Sequence, residues 1–376
     1  MSNDQKLFAD GFGGYATPAE AVALGFWTSQ TFSPASPGTQ VIGAYGRGGR
    51  PGIRFNLINH SGIGYNNYLT KTMPSNDGTN ITALAFRYSG PHFAAAEPFF
   101  SILDNATAQV SLAINSDGTV SIYTGNFGSG TPTLLATSTY VMQANSHVQM
   151  CVRVIPHASA GTVDLWFNGA SVPDISLTGQ NTAPSGNNQW TAGAIGLRWL
   201  SNLFSTTPSV TWDFGDFVMK DGSLALGGGV GATDPIGDVE VDWLQGLTSN
   251  GNYAEWTPSS GVNHGDMIKE ATPDGDGSYN EGGPTSGLRD TYFTAPLPVS
   301  SGTILAVISE DVMKKSTIGT AEITPFVRSA GVDTPGDVTH VMSDTYTRYR
   351  TVFIDFGGVT ITPSLVNAME LGPETA

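Results

Sequence analysis

The side chains that could do chemistry in this chain are few and scattered. Glycoside hydrolysis needs two carboxylates about 5–5.5 Å apart across the scissile bond in a retaining enzyme, which two acids on one strand face can supply. The nearest arrangement is Glu240-Val241-Asp242, with no second glutamate after it. Residues 1–230 contain only Glu20 and Glu97 as glutamates, and no strand-like run there carries acids at i and i+2. Acyl transfer would need a nucleophile beside a base, but G-x-S-x-G is absent and the six histidines fall singly. Neither H-E-x-x-H nor paired cysteines are present to hold zinc. Asp274-Gly-Asp276-Gly277 opens like a calcium loop but lacks its distal glutamate, so it reads as a turn. Cys151 is the only cysteine, and it reads as an inert strand residue. The expectation is no enzyme, with no catalytic residue, metal or cofactor.

Sugar binding asks for less: a flat aromatic ring to stack and amides to bond hydroxyls. Gly64-Tyr-Asn-Asn-Tyr68 and Asn187-Asn-Gln-Trp190 have that composition, so Tyr65, Asn66, Asn67, Tyr68 and Trp190 are the candidate glycan-binding residues. The basic, glycine-rich stretch Gly46 to Phe55 could meet phosphate, but in so acidic a chain its arginines are expected to meet acidic neighbours.

These residues must be positioned by strands. In 147–169, Val148, Met150, Val152 and Val154 alternate with His147, Gln149, Cys151 and Arg153; after a turn, Val163, Leu165 and Phe167 alternate with Asp164 and Trp166. Period-two alternation on both sides of a short link predicts an antiparallel hairpin with one buried face. Residues 110–122 repeat the pattern around Asp117-Gly118, and strands are expected over 81–88, 98–103, 133–141, 195–199 and 210–219. One short helix is expected, with Thr17 as N-cap, Pro18 in the first turn and Gly25 as the stop. Further on, 238–243, 303–308, 321–328 and 346–356 read as strands; 303–308 is apolar on both faces and so reads as a central strand, and the state of 366–371 is left open.

With 376 residues, 47 glycines, 22 prolines and 13% charged residues, the chain suits two β-domains rich in turns. Of its acidic and basic residues, 12 and 9 lie in 1–230, but 20 and 7 in 231–376, which marks a boundary near 230. The net charge of −16 disfavours nucleic acid as a partner, and no apolar run is long enough for membrane insertion. The first dozen residues do not read as a secretory signal. The expected domains are 1–226, a linker over 227–237, and 238–376.

The blocks LFADGFGGY, INSDGTVSIYTGNFGSGTPTLLATSTY, HVQMCVRVI, GTVDLWFNG and WDFGDFVMKDG, in that order, resemble the concanavalin A-like (laminin-G-like) jelly roll of tailed-bacteriophage virion structural proteins. IGDVEVDWLQGLTSNGNYAEWTPSSG, PDGDGSYNEG and YTRYRTVFIDF resemble the C-terminal β-domain that follows it there. The resemblance implies an all-β protein, a jelly-roll sandwich followed by a smaller antiparallel β-sandwich. It also implies a non-enzymatic capsid decoration or tail component, assembled in the host bacterial cytoplasm. Its partners would be other virion proteins and copies of itself. The alternative is a lectin-like protein recognising a host surface glycan, with a glycoside hydrolase as the third reading.

Overall fold

The computed structural model describes residues 2–32, 39–57, 65–73, 78–89, 96–127, 131–200, 210–244, 250–270, 274–316 and 318–376. The chain divides into two compact units. One comprises Gln5–Leu224 with Ala232–Val241; the other comprises Met1–Asp4, Ala225–Gly231 and Asp242–Ala376. The segment expected as linker and first strand of the second domain is thus shared out: 225–231 packs with the second unit and 232–241 with the first.

The first unit is a sandwich of two antiparallel sheets. The first sheet runs in the order β13 (Ile175–Gln180), β12 (Gly161–Phe167), β11 (Val148–Ile155), β6 (Asn80–Ser89), β15 (Val210–Asp221), β4 (Gly52–Leu57) and β3 (Thr39–Gly43), with β1 (Leu7–Asp10) also on β15. The second runs β10 (Thr133–Val141), β9 (Thr119–Thr124), β8 (Thr107–Ile114), β7 (Glu97–Asp104), β14 (Ala192–Leu200), β5 (Tyr65–Thr72) and β2 (Ser29–Phe32). Neighbours in space are often distant in sequence, as in β6 between β11 and β15; this is the jelly-roll topology. The all-β jelly-roll expectation therefore holds.

The expected hairpins form with the expected faces. Met150 pairs with Phe167 and Val154 with Val163, and their inward side chains join Leu84, Phe86, Trp212 and Phe214 in one core. Phe86 stacks on Phe99 of the opposite sheet at 4.1 Å between ring centroids. Asp117-Gly118 makes the turn before β9, with Gly118 at φ +84°. The helix spans Pro18–Ala23, and Thr17 accepts from the Glu20 amide at 3.1 Å. The opening LFADGFGGY is fixed by Asp10, which is buried and accepts from the Phe12 amide, the Tyr15 hydroxyl and the Trp27 indole.

The second unit has a six-stranded antiparallel sheet, Asn250–Ala254, Asp290–Phe293, Glu370–Thr375, Glu322–Ser329 and Val332–Pro335 in order, with His340–Val341 also on Glu322–Ser329. A ribbon of Val307–Met313 and Thr347–Phe353 supplies Val307 and Phe353 to a core that Val327 of the sheet also enters. Two expectations are corrected here. Residues 303–306 are not strand, and the strand that follows them lies in the two-stranded ribbon rather than at a sheet centre: apolar Ile304 packs on the core from irregular backbone. Residues 238–243 are not strand either, despite their alternation. The segment 366–371 contains the end of a helix, Pro363–Asn367, and the start of the last strand.

Candidate functional site

The outward face of the first sheet can be read in rows across the strands. Three glycines, Gly43 of β3, Gly52 of β4 and Gly215 of β15, share one row. They are there because the loop 45–50 folds back over the sheet. A Cβ on Gly52 would lie 2.8 Å from the Gly46 Cα, one on Gly215 would lie 3.1 Å from it, and one on Gly43 would meet the Tyr45 ring at 2.9 Å. The loop thus lays Tyr45, Arg47 and Arg50 on the sheet. Its arginines do meet acidic neighbours: Arg47 pairs with Asp216, Asp238 and Glu240, and Arg50 with Glu240 at 2.8 Å.

The adjacent row holds Arg87, Asp213 and Arg54 on consecutive strands β6, β15 and β4, and His147, the residue just before β11, stands next to it. Asp213, 1% exposed, is the anion between two guanidinium groups. It accepts from Arg54 Nε at 2.7 Å and Nη2 at 2.9 Å, and from Arg87 Nε at 2.8 Å and Nη2. One carboxylate balances one of the two cations, so the row keeps a net positive charge at a partly exposed surface. The bonds to Asp213 raise the Arg54 pKa. Arg54 also lies over the Tyr45 ring, 4.1 Å from its centroid.

His147 completes the cluster. Its Nε2 is 3.0 Å from the Tyr45 carbonyl oxygen, which can only accept, so Nε2 carries the hydrogen and Nδ1 keeps its lone pair. Burial, and then the Arg87 charge, lower the His147 pKa, favouring the neutral imidazole. A further row outward is polar and neutral: Ser89 bonds Thr211, and Asn56 donates to Thr39 at 2.6 Å. The face therefore presents a neutral base, a phenol, two cations and a strip of hydroxyls and amides within two rows.

The glycan-binding residues expected from sequence are not brought together on one surface. Trp190 is fully buried in the sandwich core, with no ring face left for a sugar. Asn67 is also fully buried, and its Oδ1 accepts from Gln40 at 2.5 Å. Both are corrections: amide and aromatic composition said nothing about which face of the strand they occupy. Asn66 and Tyr68 are half-buried on the other face of β5, where Tyr68 packs against Leu103 and Ala194. Tyr65 opens β5, and its side chain lies outside the described residues.

Elsewhere, Cys151 is buried and its thiol is pushed up to about 11 by desolvation. Asp274 accepts from the Ser278 amide at 2.9 Å, and Asp276 pairs with Lys314 at 2.6 Å, which makes that stretch an ordinary turn. Among the described residues no group of three or more His, Cys, Asp or Glu side chains is arranged to hold a metal. The cluster around His147 was missed because strand alternation shows only that His147 faces outward. Nothing local in the sequence says that Arg54, Arg87 and Asp213, from three distant strands, stand beside it.

No protein-family model matches the chain, and no curated protein matches its sequence. Several solved structures resemble it. They include alginate lyase Aly36B (10% identity, TM-score 0.42, covering 57% of this chain and 96% of that one). A PL-14 alginate lyase from Aplysia kurodai is similar (10%, TM-score 0.39, 57% and 97%). So is alginate lyase A1-II' (14%, TM-score 0.36, 58% and 96%). Likeness at this level concerns the β-sandwich fold alone. The expectation of a non-enzymatic virion component, with its lectin alternative, is corrected against these structures, which are alginate lyases and not virion proteins. That expectation came from the block-order resemblance and from the missing carboxylate pair, and a shared β-sandwich by itself carries neither role.

Proposed function

We propose that the protein cleaves an acidic polysaccharide by β-elimination on the outward face of its first sheet. The observation that carries this reading is the row Arg87–Asp213–Arg54 with His147 and Tyr45 beside it. A uronate needs its carboxylate neutralised before its C5 proton can be removed, and Arg54 with Arg87 supply the excess positive charge. His147 Nδ1, uncharged, takes the C5 proton. The electron pair forms the C4–C5 double bond, the C4–O bond breaks, and the Tyr45 hydroxyl gives its proton to the departing glycosidic oxygen. The hydroxyls and amides of Ser89, Thr211, Asn56 and Thr39 bond the flanking sugar rings. Chemistry of this kind needs neither a metal nor the carboxylate pair of a glycosidase. The block-order resemblance to phage particle proteins adds a setting, the particle exterior, with a host surface polysaccharide as substrate and other particle proteins or copies of this chain as partners.

The test is incubation of the full chain with polymannuronate, polygalacturonate and bacterial capsular polysaccharides. The readout is the ultraviolet absorbance of the conjugated unsaturated uronate end. His147→Ala is expected to lower the rate about 10²–10⁴-fold, the range for removing a general base. Absence of unsaturated product from every acidic polymer, or full activity of His147→Ala, would overturn the reading.

A further inference from the structure

Segment 232–241 crosses the outward face of the first sheet without pairing as a strand. Its main chain is held by side chains of the sheet and of the loop 45–50. Lys220 Nζ donates to the Ala232 carbonyl at 2.7 Å, Arg153 Nη1 to Thr233 at 3.0 Å, and Arg47 Nη2 to Val239 at 2.8 Å, while Asp216 accepts from the Val241 amide at 2.9 Å. Two of its carboxylates, Asp238 and Glu240, sit on Arg47 and Arg50. Ile236 alone among its side chains is buried.

What lies near this segment on the sheet is not an apolar seat. Gln149 and Trp166 face outward on β11 and β12, at 2% and 5% exposure. Both side-chain polar atoms of Gln149, and the indole nitrogen of Trp166, are buried without a hydrogen-bond partner. Gln149 lies two residues from Cys151 on the same face, and the Cys151 thiol meets the backbone of Ile236 and Gly237. The Gln149 backbone amide donates to Asn168 at 3.1 Å, next to Gly169, where a Cβ would come within 3.0 Å of the Asp238 side chain. Buried amides normally find partners, and a cover that leaves them bare is a poor match to the surface it covers. A polyhydroxylated chain in the same place would bond the Gln149 amide and the Trp166 N–H. Its carboxylates would take the arginines that Asp238 and Glu240 now hold.

We propose that segment 232–241 is a displaceable strap that holds, by imitation, the place of an acidic glycan chain. The binding groove then extends from His147 and the row beside it to Arg47, Gln149 and Trp166. This rests on the reading above that the ligand is an acidic polysaccharide. Neutralising Asp238 and Glu240 weakens the strap's hold without touching the groove.

The experiment uses the full-length wild type and the double variant Asp238→Asn/Glu240→Gln, with oligomannuronate and oligogalacturonate as probes and dextran as the neutral control. Calorimetry reads affinity, and hydrogen exchange reads the amides of 232–241. The variant is expected to bind the acidic probes about fivefold more tightly, the scale of two partly exposed ion pairs. Acidic probes should speed strap exchange in both proteins, and dextran in neither. A second variant, Gln149→Leu, removes the bare amide; it is expected to slow strap exchange and weaken acidic-probe binding. Wild-type binding with strap exchange unchanged, or equal affinities in the two proteins, overturns the strap proposal and leaves the function standing. No binding of either acidic probe by either protein overturns both.

Discussion

Replacing Asp213 by Asn tests the electrostatic construction of the site independently of any substrate. Asp213 is 1% exposed and accepts four hydrogen bonds, one at Oδ1 from Arg54 and three at Oδ2 from Arg54 and Arg87. An asparagine with its oxygen at the Oδ2 position keeps three acceptor contacts, now without charge. Its NH2 then faces Arg54 Nε, donor against donor. Removing one partner from a fully buried ion pair costs about 3–5 kcal/mol. Here both guanidinium groups keep about a quarter of their exposure and some hydration, and three neutral contacts survive. The expected loss is therefore about 2–4 kcal/mol, the lower part of the range for charge-assisted networks. For a unit of this size that corresponds to a fall in Tm of about 4–16 °C. Thermal unfolding followed by circular dichroism, with urea titration to check that the denaturant slope is unchanged, measures it. A Tm within about 1 °C of wild type would refute the claim that one carboxylate holds two strands' arginines in place.

Three further outcomes follow from other parts of the first unit. Gly52→Ala places a methyl group 2.7 Å from the Phe214 carbonyl oxygen and 2.8 Å from the Gly46 Cα, so it should destabilise by about 1–3 kcal/mol and loosen the loop 45–50, read by thermal unfolding and by faster exchange of the Gly46 amide. Trp190→Ala should cost about 3–5 kcal/mol in urea unfolding, through the core cavity it leaves, yet leave affinity for any glycan unchanged in the folded fraction. Glu97 is fully buried, and desolvation pushes its carboxyl up to about 9. A folded-state value above the unfolded one means its contribution to stability is complete below the unfolded pKa and is lost as pH rises toward the folded value. Glu97→Gln should therefore match wild type near pH 4 and become progressively more stable than it up to about pH 9, by thermal unfolding across that window. Parallel curves for the two proteins would refute the shift.

Local pattern carried the strands, because a strand's alternation is written in consecutive residues. Val148 to Val154 and Val163 to Phe167 declared both their strand character and their buried face, and Thr17-Pro18 declared the helix start. The same logic failed at 238–243, where Val239 and Val241 alternate with acids as a strand would. The acids there answer to Arg47 and Arg50, and the main-chain groups to Asp216 and Arg47, so the period came from ion pairing and not from a pleat. It failed again for Asn67 and Trp190, where composition suited a sugar but the tertiary fold turned both inward.

The sequence by itself determined that this protein is built of antiparallel strands in two bodies and that no familiar motif of catalytic residues lies along it. Only the tertiary structure decided that a histidine, two arginines and an aspartate would stand side by side. Those four come from segments separated by as many as 159 positions along the chain, between Arg54 and Asp213. The physical reason is that side-chain direction follows from the backbone's own two-residue repeat, whereas neighbourhood across a sheet is set by strand order and register. These are fixed only when the whole core closes and each strand settles against partners far away in the chain.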